Sequence, residues 1–110
     1  MIEAPSDNYG IVLVTVANKE AGKAIAQSLI QAKLAACVNI LPVESIYLWQ
    51  GEVNQDQEYQ LIIKTDLNQF EQLSHKIKTL HAYGVPEIIA LPIVAGSKSY
   101  LTWLGTCLNS

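Results

Sequence analysis

Apolar stretches that are typical of strands alternate along the chain with stretches of helical period. The β-branched run Tyr9–Ala17 predicts a first strand that is buried on both faces. A helix follows it, capped by Asn18 and expected to end near Leu34. The side of this helix that is predicted to face the core comprises Ala21, Ile25, Ser28, Leu29 and Ala32.

The centre of the chain predicts a long β-hairpin. A strand is expected over Ala36–Val53, with Pro42 at a bulge or an unpaired edge because proline cannot donate to a ladder. The polar segment Asn54–Gln57 is the predicted turn, and Glu58–Thr65 is the predicted return strand. Since strands usually have about five or six residues, arms of this length are able to reach a neighbouring subunit.

A second helix is predicted after this hairpin. Asp66 and Gln69 resemble a capping box at its start, and its end is expected within His81–Gly84. Its apolar stripe comprises Phe70, Leu73, Ile77 and Leu80. Gly84 permits an unusual backbone and Pro86 forbids further helix, so the two residues explain the junction that follows.

The C-terminal part completes the predicted fold. A fourth strand is expected over Glu87–Val94, with Pro92 again at an edge or a bulge, and Ser97 caps a short last helix. The order β-α-β-β-α-β plus a helix predicts an α+β, ferredoxin-like domain with both main helices on one face of an antiparallel sheet. We expect one domain over residues 1–110, with residues 1–8 as a flexible tail.

Composition adds an expectation about assembly. The chain is 50% hydrophobic and 15% charged, against about 25% charged in an average soluble domain. The predicted strands are apolar on both sides: Tyr47 and Trp49 point one way, and Ile46 and Leu48 point the other. Because two helices cover only one sheet face, another copy of the chain is the simplest cover for the second face.

Charge and motifs exclude several classes of function. The net charge is −3, and the basic residues are seven Lys and no Arg, which argues against nucleic acid as a partner. No signal peptide or membrane-length apolar run is visible, so a cytoplasmic location with Cys37 and Cys107 as reduced thiols is expected. The chain contains no GxSxG, Walker or HExxH motif, and we expect no enzyme.

The predicted hairpin groups four side chains of interest. With its turn at Asn54–Gln57, Tyr47 pairs with Lys64, and Trp49 lies on the same face as Glu58. This aromatic and charged cluster is interpreted either as the wall of a ligand site or as a subunit interface stabilised by a Glu–Lys pair.

Thiol and imidazole groups are the candidate metal ligands. Cys37 is either a small buried hydrophobe or a ligand, while Cys107 is expected to be a packed helix residue. His81 at the helix end either complements the helix dipole or joins the Cys37 thiolate on copper or zinc. These two residues are half of a tetrahedral site. Glu87, another subunit or solvent has to complete it, which predicts a loosely bound, exchangeable cation.

Four blocks, "AACVNILP", "SIYLWQGEV", "E…IIKT" and "HAYGVPEIIALPI…YLTWL", resemble the signature blocks of the CutA family of divalent-cation tolerance proteins. The resemblance implies a ferredoxin-like subunit in a homotrimer similar to the PII signalling proteins, with copper or another divalent cation bound. In some members the Cys of the AACVN block and the His before the Tyr are ligands, which correspond to Cys37 and His81. Such members can also carry a Cys at the end of the first strand, where this chain has Val14–Thr15–Val16, and Ala82 replaces a usual Pro.

The resemblance also implies a polar pocket between subunits. Its recurrent positions correspond to Trp49, Glu58, Lys64, Tyr83 and Glu87. Three hypotheses about function follow: a trimeric metal-binding protein without turnover, a PII-like sensor that binds a small metabolite, and a scaffold whose trimer is its function.

Overall fold

The computed structural model describes residues 8–108, and the predicted order of elements is confirmed. The elements are β1 (Tyr9–Val16), α1 (Lys19–Gln31), β2 (Cys37–Trp49), β3 (Glu52–Asp66), a 3₁₀ turn (Leu67–Gln69), α2 (Phe70–Leu80), β4 (Ile89–Pro92) and α3 (Lys98–Thr106). The strands form one antiparallel sheet in the order β2-β3-β1-β4. This is the ferredoxin-like arrangement, and Pro42 and Pro92 lie on its two outermost strands, as predicted.

Side-chain caps fix the starts of the helices. Asn18 and Ser97 each accept a hydrogen bond from the amide three residues ahead, at 2.8 and 3.3 Å, as expected for N-caps. Asp66 accepts a hydrogen bond from the amide of Asn68, only two residues ahead, at 2.9 Å. It therefore caps the 3₁₀ turn that precedes α2 and not α2 itself. In the part of the chain that the structure describes, no helix has both the length and the apolar character needed to cross a bilayer.

The main core lies between the sheet and the helices α1 and α2. Its largest fully buried side chains include Ile25, Leu29, Leu73 and Ile77. Two expectations about the helices were wrong at their ends. Helix α1 stops at Gln31, so Ala32 is its exposed C-cap, and Leu80 at the end of α2 is 44% exposed.

The first eight residues were expected to form a flexible tail. Residues 1–7 lie outside the described residues. Asn8 is described: its backbone oxygen accepts from the amide of Leu67 at 2.8 Å, and its side chain donates to Asn68 at 2.8 Å.

The position of the hairpin turn was predicted wrongly. The turn is Gln50–Gly51, and Trp49 pairs with Glu52 rather than with a residue beyond Asn54–Gln57. Both turn residues have positive φ, 51° at Gln50 and 81° at Gly51. Two-residue hairpin loops favour this conformation because its twist matches that of the strands, and glycine adopts it without steric cost.

The face assignment of the hairpin is nevertheless correct. The real register differs from the predicted one by an even number of residues, and side chains alternate between faces with a period of two. Tyr47, Trp49, Glu58 and Lys64 therefore do share one face. It is the face opposite α1 and α2, since the core side chains of β3 are the alternate residues such as Leu61.

The sheet face opposite α1 and α2, called the open face below, is apolar and largely uncovered within one chain. Ladder pairing places Ile11 beside Leu91 and Leu13 beside Ile89 on this face. Leu91 is 47% exposed and Ile89 is 50% exposed. Helix α3 covers only the end of the sheet, where Leu104 packs with Tyr9 in a second cluster.

Candidate functional site

A cleft lies between the projecting end of the hairpin and the loop 81–88. Strand β1 ends at the pair Val16–Tyr59, so the hairpin continues beyond it without a neighbouring strand on that side. The cavity there measures 660 Å³. It is called the hairpin cleft below and is lined by Thr15, Glu44, Ser45, Ile46, Tyr47, Trp49, Glu58, Tyr83, Gly84, Val85 and Glu87.

Glu58 and Tyr83 connect the two walls of the hairpin cleft. The phenol of Tyr83 donates to Oε2 of Glu58 at 2.7 Å. Glu58 is only 9% exposed, and a buried carboxylate is costly unless it is hydrogen-bonded. Burial, followed by the bond to Glu58, raises the pKa of Tyr83 well above its usual value, so the phenol remains a protonated donor.

A second phenol–carboxylate pair lies beside the first. Tyr47 on β2 donates to Asp56 on β3 through a short hydrogen bond. This bond, with smaller contributions from desolvation and the charges of Asp56 and Glu58, raises the pKa of Tyr47. Both tyrosine hydroxyl groups in the cleft are thus committed to carboxylates.

The other carboxylates of the cleft also have neutral partners. Glu87 accepts from the Gln60 amide at 3.2 Å, and Glu44 accepts from the Gln55 amide at 3.4 Å. No Lys is among the residues that line the cavity. Three carboxylates therefore line a cleft in which phenol and amide groups are their hydrogen-bond donors, and such a site attracts cations.

His81 holds the loop 81–88 against the sheet. Its Nε2 lies 2.7 Å from the carbonyl oxygen of Thr15, and its Nδ1 accepts from the amide of Tyr83 at 3.1 Å. The carbonyl can only accept, so the network assigns the proton to Nε2. Both ring nitrogens are occupied, and binding a metal at either one would break a bond that positions Tyr83.

The structure does not bring Cys37 and His81 together within the chain. Cys37 pairs with Lys64 on β3, which pairs in turn with Ile11 on β1. His81 contacts Thr15, which lies four residues further along β1. Four residues of strand span about 13 Å, while metal–ligand bonds are about 2.0–2.3 Å long. Their role as joint ligands stays a prediction, and it requires donors from different copies.

Lys64 also lies away from the hairpin cleft. It is six residues from Glu58 along β3, about 20 Å, and its ammonium group contacts Asn39 and, at 3.9 Å, the sulfur of Cys37. The Glu–Lys pair considered above is therefore not formed. The other predicted pocket residues, Trp49, Glu58, Tyr83 and Glu87, line one cavity.

The sequence reasoning missed several residues of the site. Asp56 was assigned to the turn, yet it lies within β3 and bonds to Tyr47. Glu44 and Thr15 were not considered and line the cleft. The Gln50–Gly51 dipeptide was the available signal, because a two-residue turn there puts Asp56 on the same face as Tyr47.

Within residues 8–108, no three His, Cys, Asp or Glu side chains are grouped so that they could hold a metal ion. Cys107 was expected to be a packed helix residue, but it is the partly exposed C-cap of α3, and its sulfur donates to the carbonyl of Trp103 at 3.5 Å. A closed structural metal site is thus absent from these residues of the single chain.

Comparison with known proteins gives consistent results. The family model of the CutA1 divalent ion tolerance protein matches residues 10–107. The "Divalent-cation tolerance protein CutA" of Thermus thermophilus is 52% identical over 95 residues, 86% of this chain and 92% of that protein. A solved structure of the "Periplasmic divalent cation tolerance protein CutA" from Archaeoglobus fulgidus superposes with a TM-score of 0.90 at 34% identity, covering 92% of this chain and 99% of that one.

A plant relative matches equally well over the same region. "Protein CutA, chloroplastic" of Arabidopsis thaliana is 55% identical over 95 residues, 86% of this chain. The chain spans only 52% of the length of that relative. The name of the Archaeoglobus fulgidus protein includes "Periplasmic" and that of the Arabidopsis thaliana protein includes "chloroplastic". The cytoplasmic location of this chain therefore stays a prediction.

Proposed function

Because the chain belongs to the CutA1 divalent ion tolerance family, we propose that it binds divalent cations without catalytic turnover, as a homotrimer, in the hairpin cleft. The observation that carries the proposal is the chemistry of this cleft. Glu44, Glu58 and Glu87 line it, and the donors that reach them are uncharged. A cation that enters the cleft supplies the missing positive charge.

The donor set favours a hard cation. Carboxylate oxygens suit Mg²⁺, Ca²⁺ and Mn²⁺, whereas thiolate and imidazole suit copper and zinc. Cys37 and His81 lie too far apart within one chain to share an ion, and both ring nitrogens of His81 are occupied. The cleft carboxylates are not grouped as a closed set, so the bound ion is expected to keep water ligands and to exchange readily.

Titration of the full chain with MnCl₂ by calorimetry tests the cation site. Glu58→Gln and Glu87→Gln each remove one charge while keeping the side-chain shape, and we expect affinity to fall at least about tenfold, or ~1.4 kcal/mol. Glu71→Gln is the matched control, since Glu71 is exposed on α2. Equal affinity in all three variants would show that manganese binds outside the cleft.

Copper titration addresses the alternative ligands. The affinity of Cys37→Ser and His81→Ala for copper(II) is compared with that of the unmodified chain. A loss in both variants requires Cys37 and His81 of different copies to share the ion. Unchanged affinity in both variants excludes a Cys–His site.

The open face supports the homotrimer. Leu91 and Ile89 are about half exposed there beside Ile11 and Leu13, and contiguous apolar surface of this kind marks protein interfaces. Sedimentation at low concentration is expected to give a trimer, and Leu91→Asp is expected to dissociate it. Ile30→Asp is the control, because Ile30 is a similarly exposed apolar residue on α1. A folded monomer of the unmodified chain refutes the assembly.

The size of the cleft favours a second candidate, a PII-like sensor of a small molecule. Its 660 Å³ exceeds what one hydrated ion needs and falls within the roughly 300–1,000 Å³ that is usual for small-molecule pockets. A thermal-shift screen of metabolites tests this candidate, and stabilisation that Trp49→Leu removes supports it. A screen without hits counts against it.

A further inference from the structure

Gln60 is a half-buried residue of β3 that is not among the residues lining the hairpin cleft. It shares a strand face with Glu58, because side chains of a strand alternate between faces with a period of two. Its Nε2 donates to the carbonyl oxygen of Val14 on β1 at 3.1 Å and to Oε2 of Glu87 in the loop 81–88 at 3.2 Å. One amide group therefore connects β3, β1 and the loop.

The contact with Val14 fixes which end of the Gln60 amide faces Glu87. A backbone carbonyl can only accept, so the hydrogen-bond network assigns the NH₂ end of the amide, and not its oxygen, to Val14. An NH₂ group has two N–H donors, and the second one is available to the carboxylate of Glu87. Gln60 therefore acts only as a donor toward Glu87.

No strand or helix positions Glu87, which lies in the irregular loop before β4. A long side chain in such a loop loses rotamer freedom when it binds a ligand. Glu58, in contrast, lies within β3 and accepts from Tyr83 at 2.7 Å. Tyr83 and Gln60 thus have equivalent roles, because each donates to Oε2 of one carboxylate. Among residues 8–108, no side-chain donor reaches Oε1 of either carboxylate.

We infer that Gln60 is a positioning residue of the cation site, which holds the carboxylate of Glu87 at the cleft with Oε1 available to the ion. The inference deepens the proposed function and rests on the hairpin cleft being a cation site. Carboxylates that bind metal ions are themselves hydrogen-bonded, and losing such a partner typically lowers metal affinity about 10- to 100-fold. Both bonds of Gln60 lie within one chain, so they persist when another copy covers the open face.

The other glutamine–carboxylate pair of the cleft lacks this second attachment. Gln55 donates to Glu44 at 3.4 Å, and both side chains are exposed on the projecting part of the hairpin. Within the described part of the chain, the Gln55 amide makes no further side-chain hydrogen bond. The bond to Val14 therefore distinguishes Gln60, and the alternative for Gln60 is a role in fold stability alone.

A double-mutant cycle on the full chain in its native assembly separates these two roles. Calorimetric titration with MnCl₂ compares the unmodified chain, Gln60→Met, Glu87→Gln and the variant with both changes. Methionine is an unbranched side chain like glutamine but has no donor. We expect Gln60→Met to weaken manganese binding at least about tenfold in the unmodified background. In the Glu87→Gln background we expect less than about a twofold loss, because Gln60 acts through the Glu87 carboxylate.

The matched control is Gln72→Met, since Gln72 is exposed on α2 and lies outside the cleft. It is expected to leave manganese affinity unchanged. Urea denaturation of every variant measures stability separately from binding. A less stable Gln60→Met with unchanged manganese affinity would reduce Gln60 to a structural role and overturn the inference. Equal fold losses of affinity in both backgrounds would also overturn it, because the effect would not pass through Glu87.

NMR of the unmodified chain gives a second test that needs no variant. The side-chain NH₂ signals of Gln60 are expected to move on saturation with Mg²⁺, while those of Gln72 stay in place, and unmoved Gln60 signals would contradict the inference. The proposed function fails in a different way. Manganese binding that Glu58→Gln weakens and Gln60→Met does not refutes the positioning role alone. Absence of manganese binding to the unmodified chain refutes the cation site, and the positioning role with it.

Discussion

The double hydrogen bond of His81 makes a prediction that separates a structural role from a ligand role. His81→Ala removes the bond from Nε2 to the carbonyl of Thr15, 2.7 Å, and the bond from the amide of Tyr83 to Nδ1, 3.1 Å. A typical intramolecular hydrogen bond contributes about 0.5–1.5 kcal/mol net. The loss of two predicts that the free energy of unfolding falls by about 1–3 kcal/mol.

Two further substitutions divide this effect. Gln places an amide nitrogen where Nε2 stood and can still donate to Thr15, while Asn places an oxygen where Nδ1 stood and can still accept from Tyr83. His81→Gln and His81→Asn are therefore each expected to lose about 0.5–1.5 kcal/mol, the contribution of one bond. His75→Ala is the control, since His75 is exposed on α2, where a substitution usually changes stability by less than about 0.5 kcal/mol.

The assay is urea denaturation in the presence of a chelator. Protein concentration is held constant because assembly stabilises a folded chain more as its concentration rises. If His81→Ala unfolds at the same urea concentration as the unmodified chain, the two bonds contribute nothing and the reasoning is refuted. If His81→Ala and the unmodified chain are equally stable with the chelator, and His81→Ala is less stable only in a parallel assay with copper and no chelator, His81 acts as a ligand and not as a positioning residue for Tyr83.

Three other predictions concern the phenol, the turn and the core. Burial, followed by the bond to Glu58, raises the pKa of Tyr83 on folding. The contribution of the neutral phenol to stability is therefore complete below about pH 10 and declines as pH rises above that, because the unfolded chain ionises first. Tyr83→Phe should flatten the loss of urea midpoint between about pH 10 and 11.5, and an unchanged slope contradicts this. Gly51→Ala should lower the free energy of unfolding by about 1 kcal/mol, because the φ of Gly51 is 81°. Gly84→Ala should be neutral or slightly stabilising in the same urea assay, because Gly84 has open space around it and no positive φ. Equal losses of stability in the two variants would show that turn strain is not the cause. Ile77→Ala in the core, 0% exposed, should cost about 2–5 kcal/mol, and a thermal midpoint near that of the unmodified chain would exclude tight packing there.

The sequence determined the order of elements, the caps at Asn18 and Ser97, and the faces of the hairpin. These features are local or periodic. A cap depends on residues three apart in sequence, and an alternation of period two assigns each side chain to a face wherever the turn lies. The apolar character of the open face was also predictable from the sequence, because apolar residues occur on both faces of the predicted strands.

Only the tertiary structure decided which of these residues meet. A period of two does not fix the register of a hairpin; the backbone conformation at Gln50–Gly51 does, and it places Lys64 opposite Cys37 rather than Tyr47 and brings Asp56 to Tyr47. The partners of His81 lie 66 residues away in β1 and two residues ahead in the loop. Contacts at such separation depend on how the whole chain packs, and for that reason the hairpin cleft and its charge emerged from the fold.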